Sequence, residues 1–209
     1  MKKWILFLVW SSLVGCTLLE DKNEQTSTVQ DFEGNVYKTV KIGKQFWMAE
    51  NLNISTWPKG LENPYWVESK YGKLYYSKAF GPYDSGVSLG GICPTGWHVP
   101  TKADWEELFK HLGGDLKNIG GKLKKSGLPG WSSSSGGNVG FDAAPNGIVE
   151  WENNERKVVK DNAIAVFWGT SGVDDRFPSS WYALKLNSNE ITVNEPDLGN
   201  DFSCRCVKD

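Results

Sequence analysis

The chain has 209 residues, 39% of them hydrophobic and 23% charged, which suits one domain large enough to bury its own core. A mean hydropathy of -0.43 excludes a multi-span membrane protein and, with 13% aromatic residues, a disordered chain. Lys+Arg 23 against Asp+Glu 25 leaves no basic surplus to neutralise phosphates, which excludes nucleic acid as the partner.

The amino terminus reads as an address. Lys2 and Lys3 precede a short apolar run, Trp4 to Val14, well below the ~20 residues a spanning helix needs. The run closes on Leu13-Val14-Gly15-Cys16, which looks like a bacterial lipobox. That resemblance implies a signal peptide over 1–15, cleavage before Cys16, and acylation of Cys16 as the link to a lipid membrane. Residues 16–30 lack periodicity and read as a flexible tether. Thr17, rather than Asp, follows the cysteine, and by similarity to lipoprotein sorting rules this implies the outer membrane or cell surface.

From residue 31 to 209 the pattern predicts one strand-rich α+β domain. Val36 to Ile42, the turn Gly43-Lys44 and Gln45 to Ala49 form a hairpin. Tyr71 to Phe80 is apolar and of undecided type. A helix starts after Pro100, capped by Thr101 with Asp104 three residues on. It carries Trp105, Leu108, Phe109 and Leu112 on one face and stops at Gly113-Gly114. A second helix is predicted over Leu116 to Lys125, weakened by Gly120-Gly121. Beyond the Ser/Gly loop at 130–137, strands at 147–151 and 156–160 flank Asn153-Asn154, and Ala163 to Trp168 is a buried strand. Tyr182 to Leu186 and Ile191 to Val193 pair across a turn, and Phe202, Cys204 and Cys206 share one face of a terminal strand.

Seven ordered blocks carry a family resemblance. They are Ile42 to Asn53, Tyr71 to Tyr75, Cys93 to Thr101 with Asp104-Trp105, Gly120 to Lys124, Gly140-Phe141-Asp142-Ala143-Ala144-Pro145-Asn146-Gly147, Phe167 to Ser171, and Arg205 to Asp209. Together they resemble the Fibrobacter succinogenes major paralogous domain family over about residues 31–209. The resemblance implies a C-type-lectin-like fold, with short twisted antiparallel sheets, one or two helices and long loops. It also implies exported or lipid-anchored proteins of gut and rumen anaerobes, and no assigned activity.

Setting Cys16 aside leaves Cys93, Cys204 and Cys206 for an oxidising compartment, one bridge and one leftover thiol. The family pattern pairs Cys93 with Cys206 and makes Cys204 the free thiol. Cys204 competes for the bridge because it lies two residues away.

The chain's two histidines, His98 and His111, read as structural. The expected function is a non-catalytic binding or adhesion module at the cell surface, with glycan as ligand. The alternative is a structural contact domain of an envelope assembly held by protein partners. An oxidase of the related formylglycine-generating fold, using cysteine and metal, is the remote third reading. The expected ligand-binding residues are Trp168, Asp174, Asp175, Arg176, Trp181, Tyr182, Glu195, Asp197 and Asn200, which combine aromatic faces with hydroxyl-binding groups. Glu195-Pro196-Asp197 resembles the proline-centred calcium and sugar motif of C-type lectins. Glu195, Asp197 and Asp201 are therefore the candidate ligands for calcium, the one cofactor admitted.

Overall fold

The computed structural model describes residues 26–57, 61–62, 64–80, 89–129, 131, 138–153, 155–170, 178–185, 188–194 and 200–209. The signal segment, Cys16 and residues 17–25 lie outside them, whereas residues 26–30, expected as the end of the flexible tether, form a strand because their backbone pairs along Val36 to Val40. β1 (Thr26–Gln30), β2 (Val36–Ile42) and β3 (Gln45–Met48) form a meander, and Ile42 pairs Gln45 across the predicted two-residue turn. Along β2 Tyr37, Thr39, Val40 and Ile42 are buried while Val36, Lys38 and Lys41 face out, so strict alternation holds only as far as Thr39.

Short strands follow: β4 (Thr56–Trp57), β5 (Leu61–Glu62), β6 (Trp66–Val67), β7 (Leu74–Tyr76) and β8 (Trp97–His98). The undecided stretch at 71–80 resolves into β7 and a 3-10 turn over Ser77–Phe80.

Helix α1 (Lys102–His111) begins as predicted. The Thr101 side chain accepts from the Asp104 backbone N–H, and the Asp104 carboxylate accepts from the Thr101 backbone N–H. The second helix is only one turn, α2 (Gly120–Leu123). Tertiary contact cuts it short, because Gly120 N–H donates to the Asn189 carbonyl at 2.7 Å. A Cβ on Gly120 would meet that same oxygen at 2.7 Å, so the position needs glycine despite its poor helix propensity.

β9 (Ile148–Glu152) and β10 (Glu155–Val159) make the predicted hairpin around Asn153. β11 (Ile164–Thr170), β12 (Pro178–Lys185) and β13 (Ile191–Asn194) form an antiparallel sheet. β14 (Asp201–Phe202) pairs β7, and β15 (Val207–Lys208) inserts between β3 and β8. All named strand pairs are antiparallel, and few helices accompany many strands, so the class is α+β.

β11 divides the interior. Ala165 and Phe167 face a core built on Trp47, Trp105, Phe141 and Tyr182, whereas Val166 and Trp168 face a second core with Met48, Tyr75, Phe80 and Phe202. The predicted single terminal strand does not form. Residues 203–206 cross the interior: the carbonyls of Cys204 and Cys206 accept from Leu52 and Met48 N–H on one side. On the other, Ser203 exchanges hydrogen bonds with Val166 and Trp168. With neighbours on both sides, Ser203 and Arg205 are buried alongside Cys204 and Cys206, and alternation is lost.

Candidate functional site

The crossing segment forms the floor of a polar groove of about 460 Å³. One wall comes from the start of β2 and the turn after β3, another from residues 68–72, and a third from Asp142, Ala144 and Lys125, with Arg205 below. Segments this far apart in sequence are joined by buried hydrogen bonds. Asn146 Nδ2 donates to Ser203 Oγ at 3.1 Å and to the Gly72 carbonyl at 3.3 Å, while its Oδ1 accepts from Tyr71 N–H at 2.9 Å and Ser69 Oγ at 2.8 Å. Asn51 Nδ2 reaches the same Ser203 Oγ at 3.2 Å. Gly72, at φ 100°, lies against the Asn51 backbone, and a Cβ there would meet the Asn51 Cβ at 3.0 Å. Each buried amide thus has its partners, as it must away from water.

Arg205, 2% exposed, organises the floor. Its Nε donates to Asn51 Oδ1 at 2.7 Å, one terminal nitrogen to the Phe141 carbonyl, and the other to the Asp142 carbonyl at 3.1 Å. The guanidinium also lies 4.5 Å from the Phe141 ring centroid and 5.2 Å from that of Phe167. Burial lowers its pKa to about 9, and the negative charges of Asp142 and Glu50 work the other way, so it remains a cation at neutral pH.

Asp142 is held in the left-handed region at φ 52°, a conformation that costs a non-glycine residue roughly 1–2 kcal/mol. The two carbonyls flanking its Cα are those that Arg205 grips. Its Oδ1 accepts from Asn138 Nδ2. Around it the groove presents the carboxylates of Glu50 and Glu68, the amides of Asn35 and Asn53, and Tyr71 with the Lys70 ammonium 5.1 Å from its ring.

The residues expected to bind ligand do not gather here. Trp168 is 0% exposed, its Nε1 donating to the Tyr75 carbonyl at 2.7 Å, and is a core residue. Tyr182 is buried and stacked on Trp105 with centroids 4.6 Å apart. Both leave the ligand set because each completes a core that a sheet face must cover. Asp201, a calcium candidate, is 1% exposed and ion-paired with Arg156, so its carboxylate already faces a cation. Asn200 is half-buried beside it. Trp181 stands on β12, but its side chain lies outside the described residues, as do Asp174, Asp175, Arg176, Glu195 and Asp197.

His98 bridges two carboxylates, with Nδ1 2.6 Å from Asp209 Oδ1 and Nε2 3.1 Å from Asp104 Oδ2. The Asp104 hydrogen bond raises the His98 pKa above 6.5; burial opposes this and Asp209 reinforces it. Burial pushes the Asp104 carboxyl up, but hydrogen bonds from His98 and Thr101 outweigh it and hold it below 3.8. Stability contributed by the imidazolium is complete below pH 6.5 and is lost as pH rises through the raised value. That contributed by Asp104 is present above pH 3.8 and is lost as pH falls through its lowered value. Urea midpoints of the native chain should therefore decline as pH rises through the raised His98 value, and His98→Asn should flatten that decline. An unchanged slope in the variant would remove His98 as its cause.

Cys93 and Cys206 form the bridge that the family pattern implied, and Cys204 is a buried free thiol. The three sulfurs lie within 4.8 Å of one another. Burial pushes the Cys204 thiol far above its usual pKa, which suppresses the thiolate needed for metal binding or exchange.

The blocks that meet at the groove also identify the chain. Residues 40–208 match the model of the Fibrobacter succinogenes major domain. The chain belongs to that family. Neither a curated protein nor a solved structure matches it. Asn51, Gly72, Asp142, Asn146 and Arg205 of this Fibrobacter succinogenes major domain all fall in the seven blocks read from the sequence. That ordering was the available signal for the groove.

Proposed function

We propose that this chain is an exported, lipid-anchored, non-catalytic module that binds carbohydrate in the groove between Asn51, Tyr71 and Asp142. The carrying observation is convergence: three separated family blocks place the carboxylates of Glu50 and Asp142, the carboxamides of Asn51 and Asn53 and the Tyr71 ring around a polar groove, and a fourth places Arg205 there. Those are the groups that hydrogen-bond sugar hydroxyls and stack on the apolar face of a pyranose. The scaffold is read as C-type-lectin-like, on the α+β class with its short antiparallel sheets. His98 has both ring nitrogens on carboxylates, which supports a structural rather than a proton-transferring role.

A glycan array probed with the full chain in detergent, with and without calcium, tests this reading. Signal on a defined glycan class, weakened by Tyr71→Ala in a folded variant, is expected. Silence across the array would overturn it. The Lys2-Lys3, apolar and Cys16 order supports anchoring at the outer membrane or cell surface. Cys16→Ser should release the chain from the membrane fraction and abolish acyl labelling, and retention with labelling intact would refute the anchor.

A second reading, a structural contact domain of an envelope assembly, draws on Trp151. It is 64% exposed on the β9–β10 hairpin, where a partner protein could cover it. Co-purification of one stoichiometric envelope protein, lost with Trp151→Ala while the array stays silent, would favour that reading instead.

A further inference from the structure

We propose that Asp142 determines the specificity of the groove, its second carboxylate oxygen accepting hydrogen bonds from two neighbouring hydroxyls of one sugar ring. The inference rests on the carbohydrate reading above and names what that ligand must offer. Position 142 has a backbone that glycine would adopt without strain. Gly140 at φ 84° and Gly147 at φ 76° show that this loop uses glycine where the chain turns left-handed. An aspartate at φ 52° in the same loop is one of the few residue types besides glycine that adopt this region, and it adds a carboxylate that glycine would not.

The surroundings fix where that side chain stands. Arg205 takes the carbonyls on either side of the Asp142 Cα, and Asn51 fixes the guanidinium in turn. Asn138 holds Oδ1, and Oδ2 has no protein partner among the described residues. Asp142 lines the same groove as Tyr71, with one carboxylate oxygen left for a ligand. A carboxylate oxygen has lone pairs for two donors, and adjacent ring hydroxyls supply two at matching separation. Hydroxyls bound to the carboxylate through charge-assisted hydrogen bonds involve no bond making or breaking.

Asp142 also contributes negative charge near Arg205, and a purely structural role would rest on that contact. The two roles separate experimentally. The full chain in detergent is titrated calorimetrically with cello-, xylo-, manno- and galacto-oligosaccharides and with monodeoxy analogues of each. The native chain should lose about tenfold in affinity when one hydroxyl of the recognised pair is removed, an interval of 1.4 kcal/mol. Asp142→Asn, which tolerates the left-handed backbone, should bind the parent sugar at least tenfold more weakly and no longer distinguish it from that deoxy analogue. If Asp142→Asn folds poorly, Asp142→Gly suits the same backbone and carries the same comparison. A native chain that binds none of the four series overturns the carbohydrate reading and this inference with it. A native chain that binds, with variants that bind equally well or still reject the deoxy sugar, overturns this inference alone.

Discussion

Arg205→Met is expected to destabilise the fold by about 3 kcal/mol or more, a drop in Tm of roughly 6–12 °C for a domain of this size. The substitution fills most of the space and removes the charge, so the desolvation cost of the guanidinium disappears. What remains are three oxygens that lose their donors: Asn51 Oδ1 and the carbonyls of Phe141 and Asp142. A buried unsatisfied acceptor costs about 1–3 kcal/mol, and these three sit where water has little access. The left-handed Asp142 also loses its clamp, so the strain at φ 52° is no longer offset. Arg205→Lys should recover only part, since one ammonium cannot span three acceptors that a planar fork reaches. Thermal and urea unfolding of the full chain measure this directly. In a double-mutant cycle, Asn51→Leu with Arg205→Met should cost less than the sum of the two single changes. A loss under about 1 kcal/mol in Arg205→Met would mean the floor is held by the Asn146 and Ser203 amide network instead.

The parts of the fold legible in the sequence are those whose determinants are local. Thr101 and Asp104 cap α1 through contacts three residues apart, and the β2–β3 turn needs only Gly43-Lys44. The one-turn α2 was not legible, because the atom that limits Gly120 belongs to Asn189, far along the chain. The crossing segment failed for a related reason. Period-two alternation presumes a wet face and a dry face, and residues 203–206 have backbone neighbours on both.

The site divides in the same way. Residue type alone puts Trp168 and Tyr182 in the ligand set, but Trp168 stands on β11, which is flanked by a core on each face, and Tyr182 on the neighbouring β12 packs into one of those cores. The groove residues were visible as members of ordered blocks, with nothing in their spacing to say that Asn51, Asp142 and Arg205 meet. Only the crossing segment brings them together. An arginine inside a stretch with no other charge, Phe202 to Val207, is the cue in that segment that something other than core is being built.

The second large effect concerns the bridge. Cys93→Ala should cost about 4–5 kcal/mol, because the bridge spans a sequence separation of 113 and its loss frees a long loop in the unfolded chain. Cys206→Ser should cost much less. The Cys204 sulfur lies within 4.8 Å of the Cys93 sulfur, and both cysteines stand on a segment pinned to Met48 and Leu52. During oxidative folding Cys204 is reached before burial raises its pKa, so it can form the bridge to Cys93 that the native chain gives to Cys206. The substitute closes a loop only two residues shorter, so the entropy recovered is nearly the same and the remaining deficit is local strain. Cys204→Ala should leave the native bridge in place, at a cost near that of a small cavity, about 1 kcal/mol. Non-reducing peptide mapping with thermal unfolding separates the three variants. Cys206→Ser yielding a Cys93–Cys204 linkage and a Tm above that of Cys93→Ala is the expected pattern. Two free thiols in oxidised Cys206→Ser, with a Tm as low as that of Cys93→Ala, would show that the crossing segment holds Cys204 out of bonding geometry even while the chain folds.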